Sequence, residues 1–247
     1  MATGNPFSNK VALVTGASGG IGQAVARRLA AEGASVALAY GSNAEPAQKL
    51  ADELVTQGGH AVAVGADLRR AEAAAELLAE VEPQLGSIDV LVAAAGLGRQ
   101  QSLEDIEIED FDEMLAVNLR APFLLAQKTL PGMRARGFGR VLFVSSVAAF
   151  TGGVVGPHYA ASKAGLHGLT HFLASRTAGE GVTVNAIAPA LITNTGMLPG
   201  DPDELRERIP VGRLGQPDEV ADLALAMLRN PYLTNQVVSL DGGMHPR

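Results

Sequence analysis

The chain of 247 residues contains no cysteine and no tryptophan, and aromatic residues make up only 4% of it. Without cysteine there is no disulfide, no thiolate nucleophile and no thiolate-held metal. Long apolar runs are missing too. None approaches the roughly 20 consecutive apolar residues that a membrane-spanning helix needs. The first residues, MATGNPFSNK, are polar and lack the apolar stretch of a secretory signal. Positive charge is scarce: 19 Lys and Arg face 26 Asp and Glu, a formal net charge of −7. A nucleic-acid surface favours the opposite sign. These absences predict a soluble, cytoplasmic protein that engages neither nucleic acid nor membrane.

What remains is an ordinary globular composition, with 47% hydrophobic and 18% charged residues, long enough to bury a core without covalent staples. Short, often Val-rich apolar runs lie at 11–15, 35–40, 61–66, 88–95, 140–146, 182–188 and 236–240. Continuous runs of this length mark strands buried on both faces. Helical patterns lie between them, at about 20–32, 44–58, 71–85, 109–135, 158–179 and 217–229. The alternation predicts an α/β fold. It is a single Rossmann-type domain over 1–247, with a doubly wound, seven-stranded parallel sheet and helices on both faces. One segment, at about 190–217, breaks the rhythm. It is rich in Gly and Pro and long for a connection, so it reads as a substrate lid.

Two local patterns carry chemistry. The first run leads into TGASGGIGQAVARRLAAEG, with Gly16, Gly20 and Gly22 between strand and helix. Glycine there permits a tight turn and close approach to a pyrophosphate. The helix N-terminus adds unpaired N–H groups and the positive end of a dipole. The second pattern is GPHYAASKAGLHG. Tyr159 and Lys163 stand four apart and share a helix face. A free tyrosine, with a pKa near ~10, is too weak an acid for efficient proton exchange at neutral pH. A nearby ammonium favours the phenolate and lowers that value. The pair reads as a tuned acid that protonates a carbonyl oxygen as hydride arrives.

The spacing Thr15-Gly16-x-x-x-Gly20-x-Gly22, the YAASK motif and an Asn within AVNLRAP resemble the short-chain dehydrogenases/reductases, nearest the 3-oxoacyl-thioester reductase branch. The resemblance runs from Lys10 to about Met244. It implies an NADPH-dependent carbonyl reductase that turns a 3-oxoacyl thioester or similar ketone into a secondary alcohol. The catalytic residues it implies are Asn118, Ser146, Tyr159 and Lys163. Ser146 would hydrogen-bond the substrate oxygen. Asn118 would hold a water linking Lys163 to solvent. Lys163 would also bind the nicotinamide ribose. Cofactor contacts are implied at Thr15, Gly16, Ser18, Gly20, Ile21 and Gly22, and after the second strand at Tyr40, Gly41, Ser42 and Asn43. Further contacts fall at Asp67 and Leu68, at Ala94, Ala95 and Gly96, and at Pro189, Ile192 and Asn194. Ser146, Phe150, Val154, Met197 and Leu198 would line an apolar substrate pocket. Family members are usually homotetramers. The runner-up activity is an NAD(P)-dependent secondary-alcohol or polyol dehydrogenase, and a rival of another class is a catalytically silent nucleotide sensor or scaffold.

The chain departs from the family pattern in several places. Ala93-Ala94-Ala95-Gly96 replaces Asn-Asn-Ala-Gly, which removes side-chain bracing. Two positions that acyl-carrier-protein reductases often fill with Arg read Gly137 and Glu180. Arg134, Arg136 and Arg140 lie near the first, and Glu180 argues against carrier-protein docking. A ketone or a coenzyme A thioester remains as partner. The second strand ends LAYGSNAEP, with no acidic residue before Glu45 to repel a 2′-phosphate. Gly19 stands where many NADPH members carry a basic residue, so the predicted preference for NADPH is moderate. His167 and His171, four apart, lack a third ligand and read as structural or surface residues. No metal site is expected. Ser145 reads as a strand-end hydrogen-bonding residue.

Overall fold

A computed structural model describes residues 6–196, 198 and 200–245. Each apolar run becomes a strand: β1 (Val11–Thr15), β2 (Ser35–Tyr40), β3 (Ala61–Gly65), β4 (Val90–Ala93), β5 (Gly139–Val144), β6 (Val182–Pro189) and β7 (Val237–Leu240). All pair in parallel, in the order β3-β2-β1-β4-β5-β6-β7. Every residue of β1, β4, β5 and β6 is buried. That is why these central runs are apolar without alternation.

Helices cover both faces. On one, α1 (Gly20–Ala31), α2 (Glu45–Thr56) and α9 (Pro217–Arg229) bury Val25, Leu50 and Leu225 against Val14, Leu38 and Val92. On the other, α3 (Ala73–Leu85), α5 (Ala121–Ala135) and α7 (Pro157–Thr177) bury Leu77, Leu125 and Leu166 against Leu13, Leu91 and Phe143. Successive strand residues therefore feed opposite cores. Strand order reverses between β1 and β4, and the crevice at such a switch is where ligands bind.

The sequence predicts one helix over 109–135, and the structure breaks it. Helix α4 (Ile108–Leu115) passes through one wide turn, Ala116–Arg120, into α5. In that turn the Ala121 N–H donates to Ala116 O, five residues back. Pro122 supplies the reason: it has no N–H for the carbonyl of Asn118, and its ring crowds that carbonyl. A short helix, α6 (Ala148–Thr151), follows β5, and α8 (Pro202–Arg206) lies within the 190–217 segment. Ser146, placed by the sequence at the end of the fifth strand, lies two residues beyond it.

Candidate active site

The carboxyl ends of β1, β4, β5 and β6 open into one cavity of about 680 Å³. Its floor at one end is the turn from β1 into α1. Gly16 has φ +69°, and a Cβ there would lie 2.7 Å from the Ala95 nitrogen. A Cβ on Gly22 would lie 2.3 Å from Gly16 O. These glycines let the turn fold on itself and against the end of β4. Gly19 caps α1 without a side-chain hydrogen bond, and the first turn holds no acidic residue. The helix thus offers free N–H groups and an unopposed positive dipole end to the cavity.

At the other end stand Ser146, Tyr159 and Lys163, all on the cavity wall. Gly156 and Pro157 start α7, proline being suited to a first helical position. Tyr159 therefore sits in the first turn and Lys163 one turn later. Both are buried, at 7% and 4% exposure. The ammonium of Lys163 lies 5.9 Å from the Tyr159 ring centre and donates to Val144 O at 2.8 Å. Burial lowers the Lys163 pKa to about 8. Burial also raises that of Tyr159, while a hydrogen bond with Ser146 opposes the rise. This corrects the sequence expectation that the ammonium tunes the phenol downward. In this geometry the ammonium is aimed at a backbone carbonyl, and desolvation dominates both groups.

Residues 10–205 match the short chain dehydrogenase family model. The chain belongs to the short-chain dehydrogenase family. It is 35% identical over 242 residues to the 3-oxoacyl-acyl-carrier-protein reductase FabG of Staphylococcus epidermidis, covering 96% of this chain and 99% of that one. It is 40% identical to a dehydrogenase/reductase from Sinorhizobium meliloti, with a TM-score of 0.87 over 97% and 96% of the two chains. A blue fluorescent protein from a metagenomic library, solved in complex with NADPH, superposes with a TM-score of 0.91 at 33% identity, over 98% and 100%. This short-chain dehydrogenase is accordingly an NAD(P)-dependent oxidoreductase.

The cavity gathers most of the residues the sequence nominates. Gly16, Ser18, Gly20, Ile21 and Gly22 line one end, with Ala94, Gly96, Pro189 and Ile192 beside them. Val154 and Leu198 line the other. Met197 lies outside the described residues. Other nominees stand off the cavity wall. Thr15 is buried, and its Oγ1 accepts the Ala95 N–H at 3.1 Å. It ties β1 to β4 across the switch, replacing part of the bracing lost with the alanines. Asp67 is held by Arg69 through both carboxylate oxygens. Asn194 lies with its carbonyl over Gly20. Leu68 is buried against Ala73 and Ala121, and Ala95 packs there as well. Tyr40 ends β2, with exposed Gly41, Ser42 and Asn43 beyond it.

Two further nominees make close contacts within the protein. Phe150, expected against substrate, packs its ring 4.5 Å from that of His167. Asn118 is wholly buried. Its Oδ1 accepts from Leu97 N at 2.8 Å, and its Nδ2 donates to Leu97 O at 3.0 Å and Ser162 Oγ at 3.1 Å. It clips the chain after β4 onto the wide turn and onto α7. Ser145 accepts the strand-end role: its Oγ donates to Lys163 O at 3.0 Å and meets His167 Nε2 at 2.8 Å. His171 pairs with Asn235 at 2.6 Å. Among the wall residues the sequence left unnoticed are Arg208 and His245. The tail carrying His245 comes from the far end of the chain, so no local pattern announces it.

Proposed function

We propose that this short-chain dehydrogenase is an NADPH-dependent reductase of a 3-oxoacyl thioester or similar ketone. The observation that carries this reading is the convergence of Ser146, Tyr159 and Lys163 on the cavity that begins at the bare N-terminus of α1. The relatives support it: several are 3-oxoacyl-acyl-carrier-protein reductases, and one structural neighbour was solved with NADPH.

The residues present fit a dinucleotide. The turn of Gly16–Gly22 leaves backbone on the cavity surface, and α1 presents unpaired donors to a pyrophosphate. Pro189, Ile192 and Lys163 line the same cavity. When bound, the nicotinamide would supply hydride for the carbonyl carbon. Tyr159 holds the proton that goes to the carbonyl oxygen; burial keeps its hydroxyl protonated at neutral pH. Ser146, on the same wall as Tyr159, would donate to the same oxygen and stabilise the growing negative charge. Lys163, buried on the same wall and bonded to Val144 O, stands by the nicotinamide end of the cavity, where it would hold the cofactor's ribose.

The arginines bear on the form of the substrate. Arg134 is paired with Glu180, Arg136 with Asp89 at 3.1 Å, and Arg140 is buried on the Leu228, Gly139 and Gly181 carbonyls. All three are engaged internally, which favours a free ketone or coenzyme A thioester over an acidic carrier protein docked on them. Tyr159→Phe tests the chemistry. Cofactor affinity is expected to hold, while kcat for ketone reduction falls by at least about a hundredfold, the scale of a lost general acid. Wild-type turnover by this variant overturns the assignment. Any cofactor-dependent turnover by the unmodified protein dismisses a silent sensor.

A further inference from the structure

We propose that the ketone substrate carries a remote oxyanion and that Arg208 seats it. This rests on the carbonyl-reductase reading and names the kind of ketone.

Four ionisable side chains line the cavity: Tyr159, Lys163, Arg208 and His245. None is acidic, although acidic residues outnumber basic ones 26 to 19 in the chain. Tyr159 and Lys163 belong to the proton-transfer end. Arg208 stands on another wall, two residues after α8, where its N–H donates to Leu205 O at 3.2 Å. Its guanidinium makes no ion pair or hydrogen bond among the described residues. That is unusual here. Neighbouring Arg206 pairs with Asp203 at 3.3 Å, and Arg213 with Glu219 at 2.6 Å. Glu204 and Glu207 lie within four residues of Arg208 in the chain, yet neither engages it.

Around Arg208 the wall is apolar. Leu205, Ile209 and Leu214 pack with Leu191, Leu198 and Met244. His245 adds a second polar group: its Nδ1 is buried and makes no hydrogen bond, 3.4 Å from Asp241 Oδ2. Asp241 is itself turned into its own loop, accepting from Gly243 N at 3.0 Å and His245 N at 3.1 Å. The cavity thus offers proton-transfer residues, an apolar stretch of wall and, on the exposed residue Arg208, an unpaired guanidinium. A guanidinium in such a place recognises a carboxylate or a phosphate through paired N–H donors. The two sources are a free 3-oxo acid and the phosphate-bearing arm of a coenzyme A thioester.

The test measures kcat/KM with NADPH for 3-oxobutanoate, 3-oxobutanoyl-coenzyme A and the neutral ethyl 3-oxobutanoate, in the wild type, Arg208→Gln and Arg208→Lys. Arg208→Gln is expected to lower kcat/KM for an anionic ketone at least about tenfold more than for the ester, with partial recovery in Arg208→Lys. A selective loss on the free acid assigns a carboxylate. One on the thioester assigns the phosphate arm. Equal losses on all three, or none, overturn the proposal. A wild type that reduces none of the three fails the carbonyl-reductase reading instead. The seat is then judged by calorimetry with 3-hydroxybutanoate and its coenzyme A thioester. Binding of either that weakens about tenfold in Arg208→Gln upholds it, and binding that is absent or unchanged sinks it.

Discussion

Lys163 shows function set against stability in a single side chain. It is 4% exposed, and burial draws its pKa from 10.5 down to about 8. The folded state therefore holds that proton less tightly than the unfolded chain does. Between pH 8 and 10.5 the unfolded state binds more protons, so stability rises with pH across that window. Below about 8 both states are protonated and the whole burial penalty is present, of order 3 kcal/mol by linkage. Lys163→Met is expected to raise Tm at pH 7, to raise it less at pH 10, and to abolish turnover. Thermal melts at the two pH values check this. An unchanged or lower Tm at pH 7 shows that the bond to Val144 O offsets the penalty. Ser42 carries the cofactor argument at the same scale. It is exposed just beyond β2, and Ser42→Asp is expected to move the NADPH-to-NADH ratio of kcat/KM toward NADH by about tenfold, by repelling a 2′-phosphate. An unchanged ratio shows that the 2′ group sits elsewhere.

Among the elements, the break between α4 and α5 and the start of the 190–217 segment position the site. Asn118 occupies the wide turn and bonds both polar groups of Leu97, so the turn holds the chain that leaves β4. Its cause, Pro122, was legible in the sequence; periodicity across 109–135 masked it, because the apolar stripe resumes after the turn. The 190–217 segment leans on the glycine turn. A Cβ on Gly20 would lie 2.5 Å from Asn194 O and 3.1 Å from Pro217 Cγ. Leu191 and Asn194 adopt φ of +52° and +56° as the chain leaves β6. Gly20→Ala should therefore lift this segment, raise KM for the cofactor about tenfold and hasten limited proteolysis within 190–217. Kinetics and cleavage sites unchanged from wild type would show that the contact yields at no cost.

On the scale of the molecule, the surface that remains unexplained is apolar. Ile108, Phe123 and Phe172 are 64%, 42% and 55% exposed, on α4, α5 and α7. The family resemblance implies a homotetramer, which would give these side chains a partner. Symmetric association is also the general expectation for such faces. Light scattering at micromolar concentration is expected to give a multiple of the 25.4 kDa chain mass, four copies by the resemblance, and Phe172→Asp is expected to lower it. A monomer mass for the wild type would leave these side chains without a partner of their own kind. Among the described residues no helix is long and apolar enough to cross a membrane.

The seven-stranded parallel sheet was legible because strands buried on both faces must be continuously apolar, and few residues can serve there. The Gly-rich turn and the Tyr159–Lys163 pair were legible because each is local: a turn must fit its own backbone, and residues four apart must share a helix face. Tertiary structure decided the rest. It turned the Lys163 ammonium to Val144 O and set Asn118 against Leu97. It also brought Arg208 and His245 to the wall of the cavity that holds the proton-transfer residues. Each of these depends on which groups desolvation leaves together across the fold, and no spacing along the chain encodes that.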